Sequence, residues 1–290
     1  MINMKNLIIT LLCLLSLPVS AQDEIVVNLQ ERPSSKGLQP AFEVEVPQAQ
    51  ANDAIQILEN TLSPRGFLGI FKKRTRLVQE KDEWIMRDIE IKSITSEPLT
   101  VYAQVTSFPE RIFIRLFFEG RQGFVGSAES AVNTDRANQY VRDYGVSVYR
   151  NAVEKELKQE EYILLQLQND LNKMGRKKST SDKRISNLRS NIEELERENS
   201  DLKMRSQRKE TVILNGAGAE AMKKQHDEDV RQLQKQIQSN ERKIRKYDRK
   251  ISGYEKKGNR NLRDQADILN QIDQQKLVIG EVENRLRNIR

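Results

Sequence analysis

Between Val230 and Ile289, apolar side chains recur in one unbroken seven-residue phase. One row reads Val230, Ile237, Ile244, Ile251, then Gly258 and Gln265, then Ile272, Ile279 and Leu286. The other reads Leu233, Asn240, Tyr247, Tyr254, Asn261, Ile268, Gln275, Val282 and Ile289. Alternating three- and four-residue steps place both rows on one narrow stripe of a helix. Such a stripe is covered by another helix, and the strict repeat winds the two left-handed. A second stretch obeys the same rule. Val153, Leu157, Glu160, Leu164, Leu167, Leu171 and Met174 are followed in shared phase by Ile185, Leu188, Ile192, Leu195, Asn199 and Leu202. The expected interface is therefore Leu157, Leu164, Leu171, Ile185, Leu188, Ile192, Leu195 and Asn199 against Val230, Leu233, Ile237, Ile244, Ile251, Ile272, Ile279 and Leu286.

Two interruptions decide how these helices are arranged. The polar segment Gly175–Ser181 reads as a tight hairpin or as a weak stretch of one long helix. Leu214-Asn215-Gly216-Ala217-Gly218 combines glycines with a three-residue phase slip, which favours a turn. The last helix, from about Ala219 onward, would be about 100 Å long at 1.5 Å per residue. Its weak point is 253–265, where Gly253, Gly258, Asn261 and Gln265 predict a kink or a hairpin. Antiparallel return is preferred, because each long helix then finds its partner within its own chain. The rival is a parallel homodimer, which Asn199 would suit by fixing register and strand number.

Proline marks where this helical part can begin. All seven prolines lie at or before Pro109, and none occurs from Glu110 to Arg290. Proline breaks helix interiors, so a globular part should end near the polar stretch Ser127–Thr134, with Asn133 or Thr134 as a cap for the helix that follows. The expected organisation is a leader over 1–21, a linker over 22–40 in which Glu24–Leu29 is a short strand at best, a small α+β domain over 41–127, a long helix or helical hairpin over 133–213 and a coiled-coil helix over 219–290. Within the small domain, Phe42–Val46 alternates apolar and acidic residues as a half-buried strand does. Gln48–Leu62 carries Ala51, Ala54, Ile55, Leu58 and Leu62 at helical spacing, and Ser63-Pro64-Arg65-Gly66 stops it. Strands follow at Thr75–Gln79, Trp84–Ile91, Leu99–Val105 and Ile112–Phe118. Their short connections imply antiparallel neighbours. One face of this sheet should be covered by Gln48–Leu62 and by the start of the next helix. The order of Phe42–Pro47, Gln48–Leu62 and the strands through Phe118 resembles small exported bacterial domains of uncharacterised function with a TATA-binding-protein-like fold. The resemblance covers about a third of the chain and implies no activity.

The first residues carry an address. Lys5 precedes the apolar run Leu7–Leu17, Pro18 breaks it, and Val19-Ser20-Ala21 supplies the small residues that a signal peptidase needs. This predicts export with cleavage after Ala21, to the periplasm or envelope of a bacterium. The run is short for a bilayer span, which takes about 20 residues. Cys13 lies inside it, preceded by Leu11-Leu12 where a lipid-modified cysteine needs a small residue. After cleavage no cysteine is left for a disulfide or a thiol nucleophile.

Little chemistry can be assembled from what remains. His226, the only histidine, sits at a seam position of a polar helix and reads as a partly exposed interface residue, so histidine-dependent triads and His/Cys zinc sites lack their parts. Glu160-Glu161 and Glu193-Glu194 are paired carboxylates without the flanking apolar pocket that acid–base work requires. Gly120, Gly123 and Gly126 fit neither a dinucleotide fingerprint nor a P-loop and read as a turn. Trp84, the lone tryptophan, reads as core. The sequence therefore predicts no catalytic, cofactor-binding or metal-binding residue.

Charge is the remaining signal. Residues 145–290 hold 33 Lys and Arg against 24 acids, peaking at Arg242, Lys243, Arg245, Lys246, Arg249 and Lys250. A basic helix can bind phosphates, but export makes nucleic acid an unsuitable partner. Anionic lipid, a cell-wall polymer or acidic client proteins fit better. The expectation is an envelope interaction protein that binds other envelope proteins or itself through its helices. Two alternatives have different consequences. A signal, a small β-containing body, helical arms and a high pI resemble in plan the Skp-type holdase chaperones, although here every strand precedes the helices. A coiled-coil scaffold or activator for a cell-wall enzyme is the other.

Overall fold

The structure is a computed structural model that describes residues 24–63, 76–127, 131–213 and 220–289. The leader expected over 1–21 and the turn expected at 214–218 lie outside the described residues. The chain is α+β: an antiparallel sheet domain followed by two long helices. It divides into two compact units, Met1–Glu160 with Val278–Arg290, and Glu161–Leu277.

The first unit is built on one antiparallel sheet. Its strands are β1 (Val27–Ser34), β2 (Gly37–Pro47), β3 (Val78–Glu80), β4 (Glu83–Glu90), β5 (Pro98–Ser107), β6 (Arg111–Gly120) and β7 (Gly123–Phe124). Helix α1 (Ala51–Leu62) lies between β2 and β3 in the chain. The order across the sheet is β1-β2-β6-β5-β4-β3, with β7 paired to β6. Thus β3 to β6 form a meander whose last strand returns to pair with β2.

The segment 22–40 is a correction to the sequence reading, which made it a linker. It forms β1 and the first part of β2, paired from Val27 with Val44 to Ser34 with Gly37. Its prolines sit where the ladder does not need them. Pro33 is on the edge strand, and Pro40 precedes Phe42, where β2 first pairs with β6; such positions tolerate the missing donor. The turn is short: Lys36 N donates to Ser34 Oγ (3.1 Å), and that hydroxyl donates to Gly37 O (2.9 Å).

Alternation sends one residue set to each face. Phe42, Val44 and Val46 pair with Leu116, Ile114 and Ile112, and these join Met86, Val101 and Phe118 in the main core. Ala54, Ile55, Leu58 and Leu62 of α1 cover that face, as their spacing predicts, together with Ala137, Val141, Tyr144 and Val148 of α2 (Ala131–Ile213). The Tyr144 hydroxyl donates to Ala54 O (2.8 Å), tying the two helices. Trp84 is half-buried against this core. Helix α2 starts before the expected cap, leaving Asn133 and Thr134 inside its first turn.

The opposite face carries a smaller cluster, Ala41, Ile85, Tyr102, Phe117 and Phe124. The tip of the β1–β2 hairpin reaches β4 and β5 here. Gln104 Nε2 donates to Pro33 O (2.9 Å), and Ser35 N donates to Glu83 Oε1 (3.1 Å).

The end of the second long helix, α3 (Glu220–Asn288), also belongs to this unit. Val282 and Ile289 are buried in the main core, and Leu286 packs against it. Arg285 donates to Gln48 Oε1 (2.8 Å) and to Glu156 Oε1 (2.7 Å).

The second unit consists of the remaining lengths of α2 and α3. Both are unbroken. Gly175–Ser181 therefore lies within one long helix, and the hairpin expected at 253–265 does not form. A glycine inside a helix costs about 1 kcal/mol relative to alanine, which a helix packed along its length absorbs.

Candidate interaction surfaces

The heptad positions coincide with the less exposed positions of both helices. On α3, Val230, Leu233, Ile237, Ile244, Ile279 and Leu286 are half-buried, and Ile251 and Ile272 are buried. On α2, Leu157, Leu164, Leu171, Ile185, Leu188, Ile192 and Leu195 are half-buried and Asn199 is buried. The same phase passes without a break through Lys178 and Ser181, both half-buried. Half-burial is what two helices provide, since each seam residue is covered from one side only.

Polar groups within the second unit connect the two helices at several levels. Asn261 Nδ2 donates to Met174 O (3.3 Å), Arg189 Nη2 pairs with Glu255 Oε1 (3.0 Å), and Lys209 Nζ pairs with Asp229 Oδ2 (2.5 Å). Arg184 lies over the Tyr254 ring, 5.7 Å from its centre. His226 Nε2 is 2.6 Å from Lys209 O, so this lone histidine bonds backbone at the seam. Lys209, by hydrogen bond and by charge, lowers the pKa of Asp229.

Asn199 is matched by a residue that composition hides. Asn240 is 4 % exposed, and neither its Nδ2 nor the Asn199 Oδ1 has a hydrogen-bond partner. Buried amides of this kind cost stability and are kept where register must be fixed.

The six cations Arg242, Lys243, Arg245, Lys246, Arg249 and Lys250 are all exposed. Their spacing distributes them around most of the helix outside the seam, so they form no single face.

Sequence reasoning missed a polar cluster on the second face of the sheet. Glu43 is 8 % exposed; Arg115 Nε donates to its Oε2 (2.5 Å) and Arg32 Nη2 to its Oε1 (3.1 Å). Burial pushes the Glu43 carboxyl up, but the hydrogen bonds and charges of Arg115 and Arg32 outweigh it and hold its pKa below the ordinary value. Beside it Glu83, 4 % exposed, accepts from Gln104 Nε2 (2.9 Å) and from Ser35 N. The alternation of β2 and β6 marks Glu43 and Arg115 as lying off the main core. Glu43 becomes buried between the Arg32 and Arg115 side chains of the neighbouring strands, an arrangement that leaves no periodic trace. Tyr102, on the same face, donates to Glu119 Oε2 (2.5 Å); burial first, then this bond, raises its pKa. These pairs stabilise the second face of the sheet, although Arg32 Nε and Glu83 Oε2 have no hydrogen-bond partner among the described residues.

Among the described residues no group of three or more His, Cys, Asp or Glu is placed to hold a metal ion. No described helix is long and apolar enough to cross a membrane. Comparison with known proteins gives no match, either to a protein-family model or to a curated protein.

Proposed function

We propose that this chain is an exported interaction protein of the bacterial envelope, without enzymatic activity, in which a small docking domain carries an arm of two antiparallel helices. The observation that carries this reading is the pattern of partners between α2 and α3. As the α2 partner advances from Met174 to Arg189 to Lys209, the α3 partner retreats from Asn261 to Glu255 to Asp229. The burial of Val282 and Ile289 beside Val141 and Val148 supports the same direction. A parallel homodimer would instead pair like-numbered positions. The terminal run Leu7–Leu17 with Val19-Ser20-Ala21 supports export.

The test uses the one-cysteine composition. With Cys13→Ser as background, Arg189→Cys and Glu255→Cys are introduced and joined with a short bismaleimide. Crosslinking within single chains at any protein concentration is the expected result; crosslinked dimers alone would reject the antiparallel arm. Export is tested separately, by the mass of the protein recovered from cells, expected to begin at Gln22. The partner is sought by crosslinking in intact cells followed by capture of the chain.

A further inference from the structure

Cations are not spread evenly along the second unit. Residues 176–189 of α2 and 249–263 of α3 together hold twelve Lys and Arg against two acids, Asp182 and Glu255. Residues 161–175 and 264–277, next to them, hold two cations and five acids. If the helices are antiparallel, as proposed above, the two basic stretches lie side by side, because Met174 meets Asn261 and Arg189 meets Glu255. Of the twelve cations only Lys178 and Arg189 form ion pairs among the described residues, with Asp182 and Glu255. The other ten are exposed. The seam is least apolar at this same level, with Lys178 and Ser181 on one helix and Gly258, Asn261 and Gln265 on the other. Gathering like charges where burial contributes least opposes folding, so the concentration needs another reason.

The heptad gives these cations a direction. Labelling the two seam rows a and d, Lys177, Arg184, Lys250 and Lys257 occupy g positions, and the remaining six fall on c and f. None of the ten is on the e or b flank, where the e positions hold Asp182, Arg189, Glu255 and Leu262 and the b positions only uncharged residues such as Ser179 and Asn259. In an antiparallel pair the g positions of both helices share one flank. Successive g residues are about 10 Å apart along a helix, and packed helices are about 8–10 Å apart. The four g cations thus form a roughly square array, with spacings near the Debye length of about 10 Å at 0.1 M salt, so that their fields add.

We propose that this flank docks the arm on the surface of an anionic phospholipid bilayer. A linear polyanion engages one row of such an array, whereas a plane of anionic headgroups engages both. The earlier run Arg242–Lys246 is less suited, since the antiparallel arrangement sets it beside Glu193, Glu194, Glu196 and Glu198. The flank offers no large apolar side chain to insert, so adsorption is electrostatic, reversible and sensitive to salt.

The experiment is cosedimentation of the purified protein with vesicles of phosphatidylglycerol and phosphatidylcholine, against phosphatidylcholine alone. Binding only to the anionic vesicles, falling steeply as salt is raised, is expected. The variant Lys177→Gln/Arg184→Gln/Lys250→Gln/Lys257→Gln should bind about a thousandfold more weakly, since each cation near an anionic surface contributes about 1 kcal/mol. The control Arg242→Gln/Arg245→Gln/Arg249→Gln/Lys256→Gln removes the same charge from f and b positions and should lose less than a tenth as much. Equal losses in both, no binding by the parent, or tighter binding to soluble polyphosphate than to vesicles would overturn the proposal. Circular dichroism checks that each variant remains helical. The 189–255 crosslink is measured on the same preparations. An intact crosslink with no vesicle binding rejects the docking flank alone, whereas a failed crosslink rejects the antiparallel arm.

Discussion

Gly145 sits where α2 crosses the sheet closely. A Cβ there would lie 2.8 Å from Ile25 Cγ2 and 2.9 Å from Val44 Cγ2, and both neighbours are buried. Gly145→Ala should therefore cost about 1–3 kcal/mol by overpacking, although alanine is the better helix former; urea unfolding followed by circular dichroism measures it. Glu43 makes a second residue-level prediction. Its folded pKa is depressed, so its contribution to stability is fully present above the ordinary carboxylate pKa of about 4.3 and is lost as pH falls through the lower folded value. Glu43→Gln should lower stability at neutral pH by about 1.5–3 kcal/mol, the scale of one hydrogen bond to a charged group. It should also flatten the acid limb of stability against pH. An unchanged acid limb would place the acid sensitivity elsewhere.

Helices and strands differ in how much of their environment their periodicity records. The heptad positions of α2 and α3 fall on the less exposed positions of each helix, because a seven-residue repeat has one narrow face to cover. Ala54, Ile55, Leu58 and Leu62 were as clear for the same reason. Of β1 only the first residues fell within the short strand expected at Glu24–Leu29; the rest was missed because Pro33, Ser34, Ser35 and Gly37 carry turn chemistry, and edge position, which no local pattern states, is what lets Pro33 remain in a strand. Gly175–Ser181 admits a hairpin or a weak stretch of one long helix, and it is the latter; Gly258 misled in the opposite direction, because local propensity argued for a break where the helix continues. Asn199 and Asn240 bring the prediction that belongs to this scale. If they meet in the antiparallel pair, Asn199→Leu alone leaves the Asn240 amide facing an apolar side chain and should not stabilise the arm. Asn199→Leu/Asn240→Leu removes both orphaned groups and should raise the melting temperature. The double variant should also broaden the set of cysteine positions that crosslink to residue 189, because register is no longer fixed by an amide pair. A crosslink pattern as narrow as that of the parent would show that the remaining seam sets register alone.

The chain as a whole joins its most distant segments in one core, since Val282 and Ile289 are buried with Val44, Leu116 and Val148. Nothing in the heptad distinguishes Val282 and Ile289 from the seam residues before them; that their cover includes a sheet emerges only from the tertiary fold. The α3 end should therefore be part of the stability of the sheet domain rather than an appendage. Val282→Ala removes two methyl groups from a site that is 1 % exposed and should cost about 1–3 kcal/mol. Arg285→Ala tests the rim of the same junction, where the guanidinium bridges Gln48 and Glu156, and should cost less, about 0.5–1.5 kcal/mol, because the group is partly exposed. Trp84 provides the readout. It is the only tryptophan and lies on β4, half-buried against the core, so its fluorescence reports the packing of the sheet core rather than total helix content. In the Val282→Ala variant the tryptophan transition should move to lower urea together with the helical signal. If only the helical signal moved, the end of α3 would be a loosely held cover, and the sheet with α1 and the start of α2 would constitute a core sufficient by itself.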